Sequence, residues 1–185
     1  MLKIGIVTGS TRQGRVSLQV ADWVKQIADQ RDDASFEVVD ILDYDLPAYN
    51  EPVPAAFSKD YQTPQAAAWS RKIEELDGFI FVTPEYNRAI TSSLKNALDY
   101  LHLEFYNKAA GIVSYGSAGG TTAAGQLRMI LSVPQVAVVS TQPALNLFTD
   151  FEAMSTFKPG EHHLPTVQNL LSQVVSWSGA LKTIR

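Results

Sequence analysis

Ile4-Gly5-Ile6-Val7-Thr8-Gly9-Ser10-Thr11-Arg12-Gln13-Gly14-Arg15-Val16-Ser17 joins a short apolar run to a turn rich in hydroxyls, glycine and arginine. Behind it, Val16, Val20, Trp23, Val24 and Ile27 recur at the spacing of one helix face. The unit is strand, polar turn, helix, and it recurs along the chain. Phe79–Thr83, Ala109–Ser114 and Val136–Ser140 are further near-continuous apolar runs, without the two-residue alternation of a half-exposed strand. Such runs suit strands buried on both faces of a parallel sheet. Phe36–Ile41 is a weaker run of the same kind. Helical stripes lie between them: Ile90, Leu94, Leu98 and Leu101; Ala124, Leu127 and Leu131; and, after Pro165, Val167, Leu170, Leu171, Val174 and Leu181. Pro64–Leu76, with Trp69, Ile73 and Leu76, reads as a less regular helix.

Strict alternation of strand and helix predicts a doubly wound α/β fold with right-handed crossovers and helices on both faces of the sheet. Five strands predict the flavodoxin-like order 2-1-3-4-5. The 185 residues, 45% of them hydrophobic, fit a single domain over 1–185 with a sizeable core. A net charge of −4 argues against a nucleic-acid partner, which would need a basic face. Without cysteine there is no disulfide scaffold, thiolate metal site or thiol nucleophile, and the reading is of a cytoplasmic protein. No apolar run reaches membrane-spanning length, and Met1–Gly5 leads straight into a strand without the pattern of a signal peptide. Leu42–Thr63 and Thr141–Leu164 are long enough as loops to suggest functional or partner contacts.

In an open parallel sheet, ligands bind beyond the carboxyl ends of the strands, near the point where strand order reverses. The turn after the first strand ends at a helix N-terminus, where free N–H groups and the helix dipole favour an anion. Ser10, Arg12, Gln13, Arg15, Val16 and Ser17 are the candidate phosphate-binding positions. A Walker A loop fails here, because Arg15 replaces its lysine and Val16 its metal-binding hydroxyl. A dinucleotide fingerprint fails because Ser10-Thr11 breaks the glycine spacing. A monophosphate held by hydroxyls and amides remains, which suits FMN. After the third strand, Pro84-Glu85-Tyr86-Asn87 supplies a stiff, polar and aromatic loop, and after the fourth, Ser114-Tyr115-Gly116-Ser117-Ala118-Gly119-Gly120 lets backbone approach a flat ligand.

These segments, with Leu94-Lys95-Asn96-Ala97-Leu98-Asp99, Gln126-Leu127-Arg128 and Leu46–Glu51, resemble the NADPH-dependent FMN reductase family over roughly residues 3–140. The resemblance implies FMN phosphate in the Ser10–Ser17 loop and the isoalloxazine ring against Pro84, Glu85, Tyr86 and Asn87. It places Ser114, Tyr115, Gly116 and Ser117 along the ring and ribityl side. It implies NAD(P)H as co-substrate, a quinone, free flavin, azo compound or similar small molecule as electron acceptor, and a homodimer or homotetramer. Where members commonly carry a basic residue after the Gly-Gly pair, this chain has Thr121 and Thr122. No side chain is assigned as a catalytic acid or base, since the chemistry belongs to the cofactor. The alternatives are a flavodoxin-type electron carrier and a nucleotide hydrolase. Asp43 and Asp45 read as solvated loop residues. Tyr100, His102, Phe105 and Tyr106 read equally as core or as a dimer surface. His162-His163 is not expected to bind metal, because adjacent residues point apart in extended chain and no Cys, His or Glu partners recur nearby.

Overall fold

In the computed structural model, which describes residues 1–185, strands and α-helices alternate in the expected manner as far as the fifth strand, after which three more short strands precede the last of five α-helices. The order is β1 (Leu2–Thr8), α1 (Ser17–Ala28), β2 (Ala34–Val39), α2 (Pro64–Glu74), β3 (Gly78–Pro84), α3 (Ser92–Asp99), β4 (Ala109–Gly116) and α4 (Thr121–Ser132). Then come β5 (Ala137–Val138), β6 (Ala144–Asn146), β7 (Phe151–Glu152), β8 (Thr156–Phe157) and α5 (Leu164–Lys182). The main sheet is parallel in the order β2-β1-β3-β4-β5, as a flavodoxin-like fold requires.

Both faces of the sheet are buried, which is why its central strands read as unbroken apolar runs. Successive residues of β3 divide between two cores. Phe79 and Phe81 pack with Trp69, Ile73, Leu94 and Leu127 from α2, α3 and α4. Ile80 and Val82 pack with Val20, Val24, Leu170 and Val174 from α1 and α5. Gly5 and Gly111 have no room for more: an added Cβ would lie 2.5 Å from Leu76 Cδ1 in the first case and 2.5 Å from Leu170 Cδ1 in the second.

Three departures from the expected elements have local causes. The second strand ends before Ile41, because the Asp40 carboxylate accepts from Leu42 N and turns the chain into a 3-10 turn over Ile41–Tyr44. The fifth strand is shorter than Val136–Ser140 and its place beside β4 is shared. β5 pairs with Ala109-Ala110, and β6 resumes the edge against Ser114–Gly116. Between them, Pro143 offers its carbonyl to Ser114 N (3.0 Å) but has no N–H to return, so the ladder breaks there. Finally, Thr141–Leu164 is not one loop. It holds β6 and the antiparallel β7–β8 hairpin, which Gln19 ties to α1 by donating to Ser155 O (3.0 Å) and accepting from Phe157 N (2.8 Å).

Candidate active site

The β1–α1 turn lies beyond the carboxyl end of β1, at the centre of the sheet where strand order reverses. Gly9 begins it, donating to Val82 O at 2.7 Å, and a Cβ there would meet the same oxygen at 2.7 Å. Thr91 caps α3 by accepting from Leu94 N and also donates its hydroxyl to Gly9 O (2.5 Å), so one side chain fixes two neighbouring turns. Gly14 reverses the chain at φ 72°, a left-handed conformation natural to glycine.

The helix that follows has no side-chain cap. Its N-cap, Val16, cannot supply one, whereas α2 and α3 are capped by Thr63 and Thr91. At the mouth of α1, Ser17 is wholly buried and its Oγ has no hydrogen-bond partner. The Tyr115 hydroxyl lies beside it without reaching hydrogen-bond geometry. Burial and the nearby Tyr86 push the Tyr115 phenol above its ordinary pKa, while Ser17, Arg12 and Arg15 act in the opposite sense. A buried hydroxyl left unpaired costs free energy. An anion accepting from it and from the open N–H groups of α1 would remove that cost, so these residues fit a phosphate.

Tyr86 joins this turn to the loop after β3. Its hydroxyl accepts from Arg12 Nε at 3.0 Å and lies 3.3 Å from Ser10 Oγ. Tyr86 N donates to Ala89 O (2.9 Å) and Ala89 N to Tyr86 O (3.0 Å), forming a tight hairpin. Asn87 and Arg88 at its tip sit at φ 52° and 66°, the left-handed pair of a type I′ turn. Asn87 therefore has a backbone role besides its amide, since asparagine tolerates that conformation better than most residues.

Glu85 is drawn sideways. Its Oε2 accepts from Thr122 N and Ala123 N, both at 3.0 Å, so it caps α4 with a negative charge. Gly116 and Gly120 let this packing close. A Cβ on Gly116 would lie 3.3 Å from Glu85 Cβ, and one on Gly120, at φ 67°, would lie 2.8 Å from Tyr115 N and O.

Several expected contacts are consequently indirect. Arg15 is held at 2.5 Å by Asp40, whose other oxygen accepts from Thr8 Oγ1 at 2.8 Å, so one terminal nitrogen of its guanidinium is committed to the scaffold of the turn while its Nε is buried without a partner. The Val16 side chain belongs to the core below α1, leaving its backbone for the turn. Ser114 is fully buried and donates to Gly119 O (2.7 Å), pinning the glycine loop from beneath. Pro84 and Tyr115 are buried as well, while Arg12, Gln13, Tyr86, Asn87 and Ser117 are exposed at the edge. Ser10, Arg12 and Tyr86 thus come together directly, and Glu85 meets Gly116. Arg15, Ser114 and Tyr115 support from below.

Sequence reasoning missed three positioning residues: Asp40, Thr91 and Asn96. Asn96 accepts from Tyr49 N (2.8 Å) and donates to Pro47 O (2.8 Å), clamping the Leu46–Glu51 segment beside the site. The Thr91-Ser92-Ser93 run carried a helix-capping signal that located Thr91. Nothing local pointed to Asp40.

Fold and site together define a doubly wound α/β protein with an uncapped helix N-terminus and a polar–aromatic loop at its switch point. The chain matches the NADPH-dependent FMN reductase family over residues 2–150, and it belongs to that family of oxidoreductases. It is 38% identical over 149 residues to an NAD(P)H-dependent FMN reductase of Schizosaccharomyces pombe, covering 80% of this chain and 74% of the relative. It is 32% identical over 156 residues to a 2-hydroxy-1,4-benzoquinone reductase of a Burkholderia species, covering 80% of each. Among solved structures, the flavoenzyme NAD(P)H:(acceptor) oxidoreductase FerB of Paracoccus denitrificans superposes with a TM-score of 0.76 at 19% identity, covering 97% of this chain and 98% of that one, a likeness of fold.

Proposed function

We propose that this chain holds FMN at the β1–α1 turn and uses NAD(P)H to reduce a small acceptor, a quinone, free flavin, azo compound or similar molecule. The observation that carries the reading is the uncapped N-terminus of α1 with the buried, partnerless Ser17 Oγ, joined through Arg12 and Tyr86 to the loop after β3. When bound, FMN supplies hydride acceptance and release at its own ring. The protein's part is binding and electrostatics. Ser10, Ser17, Arg12 and the first amides of α1 hold the phosphate. Pro84–Asn87 and the backbone of Gly116–Ser117 flank the ring, and amides there oppose developing negative charge. Asp40 and Thr91 fix the turn so that these donors are in place before the ligand arrives.

The electron-carrier alternative is disfavoured by the family match and by the mild net charge of −4, since carriers that dock by charge are strongly acidic. No helix is long and apolar enough to cross a membrane. A cytoplasmic location and assembly into a homodimer or homotetramer complete the proposal, the latter supported by an apolar groove lined by Leu98, Ile130, Val133 and Pro134. The test is anaerobic NADPH titration of the FMN-loaded protein, followed by acceptor addition. Bleaching and acceptor-dependent recovery of the flavin absorbance are expected. An unbleached spectrum with NADPH and with NADH would refute the reading.

A further inference from the structure

The two histidines that sequence reading set aside do not lie in extended chain. Glu161–His163 forms a 3-10 turn at the entry to α5, and it brings the rings of His162 and His163 together with centroids 4.0 Å apart and planes tilted by 38°. Gly160 permits this, because a Cβ there would come 2.5 Å from His162 Nδ1. The pair faces Asp150, which is 2% exposed. Asp150 Oδ1 lies 2.9 Å from His163 Nε2. Its Oδ2 is held by Asn146 N at 2.7 Å, and its own carbonyl accepts from Lys158 N at 2.8 Å, so both carboxylate and backbone are fixed.

From this geometry we propose that Asp150, His162 and His163 form a binding site for a divalent d-block cation of the zinc type, separate from the flavin site. One donor atom from each residue falls within 4.8 Å of the others. Zinc takes imidazole nitrogen and carboxylate oxygen at about 2.0–2.2 Å, which sets tetrahedral donors roughly 3.3 Å apart. The Asp150–His163 pair already stands near that separation. His162 is exposed and closes the remainder by a side-chain rotation. With Oδ2 tied to the Asn146 amide, Oδ1 is the oxygen turned to the histidines. A buried carboxylate calls for a compensating charge, and His163 supplies one only when protonated. Two histidines and one carboxylate leave a coordination position for water. Both histidines lie beyond residues 2–150, so the family match does not account for them. A cation there would clasp the Asn146–Gly160 segment to α5. Asn146 in turn donates to Ser117 O (3.2 Å), linking the clasp to the glycine loop.

The test is zinc titration of tag-free, chelator-stripped, FMN-loaded protein by calorimetry, with cobalt absorption as a second probe. One-to-one binding is expected, with a thermal transition that rises on adding zinc and a cobalt spectrum of low coordination number. His162→Ala changes an exposed side chain, so its fold and flavin content are kept, and its zinc affinity should fall at least tenfold. His102→Gln, at the one histidine outside the cluster, should leave zinc affinity unchanged. No saturable binding, or equal affinity in the His162→Ala protein, would overturn the site.

Discussion

Ser17 and Asn87 show how a single side chain can serve the ligand at the expense of the empty fold, or serve the fold and the ligand together. Ser17 Oγ is buried without a partner, so replacing it with alanine removes an unsatisfied group from the protein. We expect Ser17→Ala to leave the FMN-free melting temperature unchanged or slightly raised. Its FMN dissociation constant should rise about fivefold to tenfold, the value of roughly 1 kcal/mol for one hydrogen bond. Calorimetry with and without FMN separates the two effects, and a melting temperature several degrees lower without FMN would count against the unpaired hydroxyl. Asn87 at φ 52° is different. Asn87→Ala keeps a Cβ in the left-handed region but loses the polar side chain that makes asparagine tolerant of it, and so mixes backbone strain with loss of the amide. Asn87→Gly removes the amide with the rest of the side chain and suits the left-handed backbone, so it tests the amide without added strain. Stopped-flow bleaching by NADPH should be slowed in the FMN-loaded Asn87→Gly protein, with FMN affinity largely retained. Wild-type rates and flavin potential would remove the Asn87 amide from the site.

Among the elements, the N-terminus of α4 is the joint between the loops after β3 and β4. Glu85→Gln keeps the acceptor but loses the charge at that helix end, worth about 0.5–1 kcal/mol. Its urea midpoint should fall correspondingly, with little change in FMN affinity. Gly120→Ala should be more severe, on the order of 2 kcal/mol or more, because strain at φ 67° adds to a 2.8 Å clash with Tyr115 backbone. Equal midpoints for wild type and Gly120→Ala would show that the loop can move aside. At this scale the limits of legibility are physical. β3 and β4 were legible because burial on both faces leaves an unbroken apolar run. The edge beside β4 was legible only in part: Val136–Ser140 contains β5, but β6 beyond Pro143 is too short to carry a period. The β1–α1 turn was legible from its glycines, hydroxyls and arginines. Its support by Asp40 and Thr91 depends on side chains brought together across β1, β2 and α3, which no local pattern encodes. The geometry of the histidine pair was not legible, because adjacent side chains point apart only in extended chain and Glu161–His163 is a 3-10 turn.

For the whole molecule, the two ends of the sheet have separate tasks. The carboxyl end carries the turns of the site. At the amino end, Lys108 is buried and donates to Ile73 O (2.7 Å) and Glu74 O (3.0 Å), closing the last turn of α2. Burial lowers its pKa from 10.5 to about 8, with Arg185 adding to the effect. The folded protein therefore disfavours the charged form, and between about pH 8 and 10.5 the unfolded chain binds more protons at this residue. Its contribution to stability should rise with pH across that window. The stability difference between wild type and Lys108→Met, measured by urea unfolding at intervals over the same range, should shift in favour of wild type. A pH-independent difference would contradict the depressed pKa. At the opposite end, the proposed function rests on a phosphate held at the α1 N-terminus by Ser17 and Arg12. It is tested most directly by fluorescence titration of FMN against riboflavin, which lacks that group, in wild type and in the Arg12→Ala/Ser17→Ala double variant. The two lost hydrogen bonds, one of them charge-assisted, are together worth about 2–4 kcal/mol. Wild type should prefer FMN strongly, and the double variant should lose at least a factor of ten of that preference, through weaker FMN binding with riboflavin binding unchanged. An undiminished preference for FMN in the double variant would place the phosphate elsewhere and contradict the account.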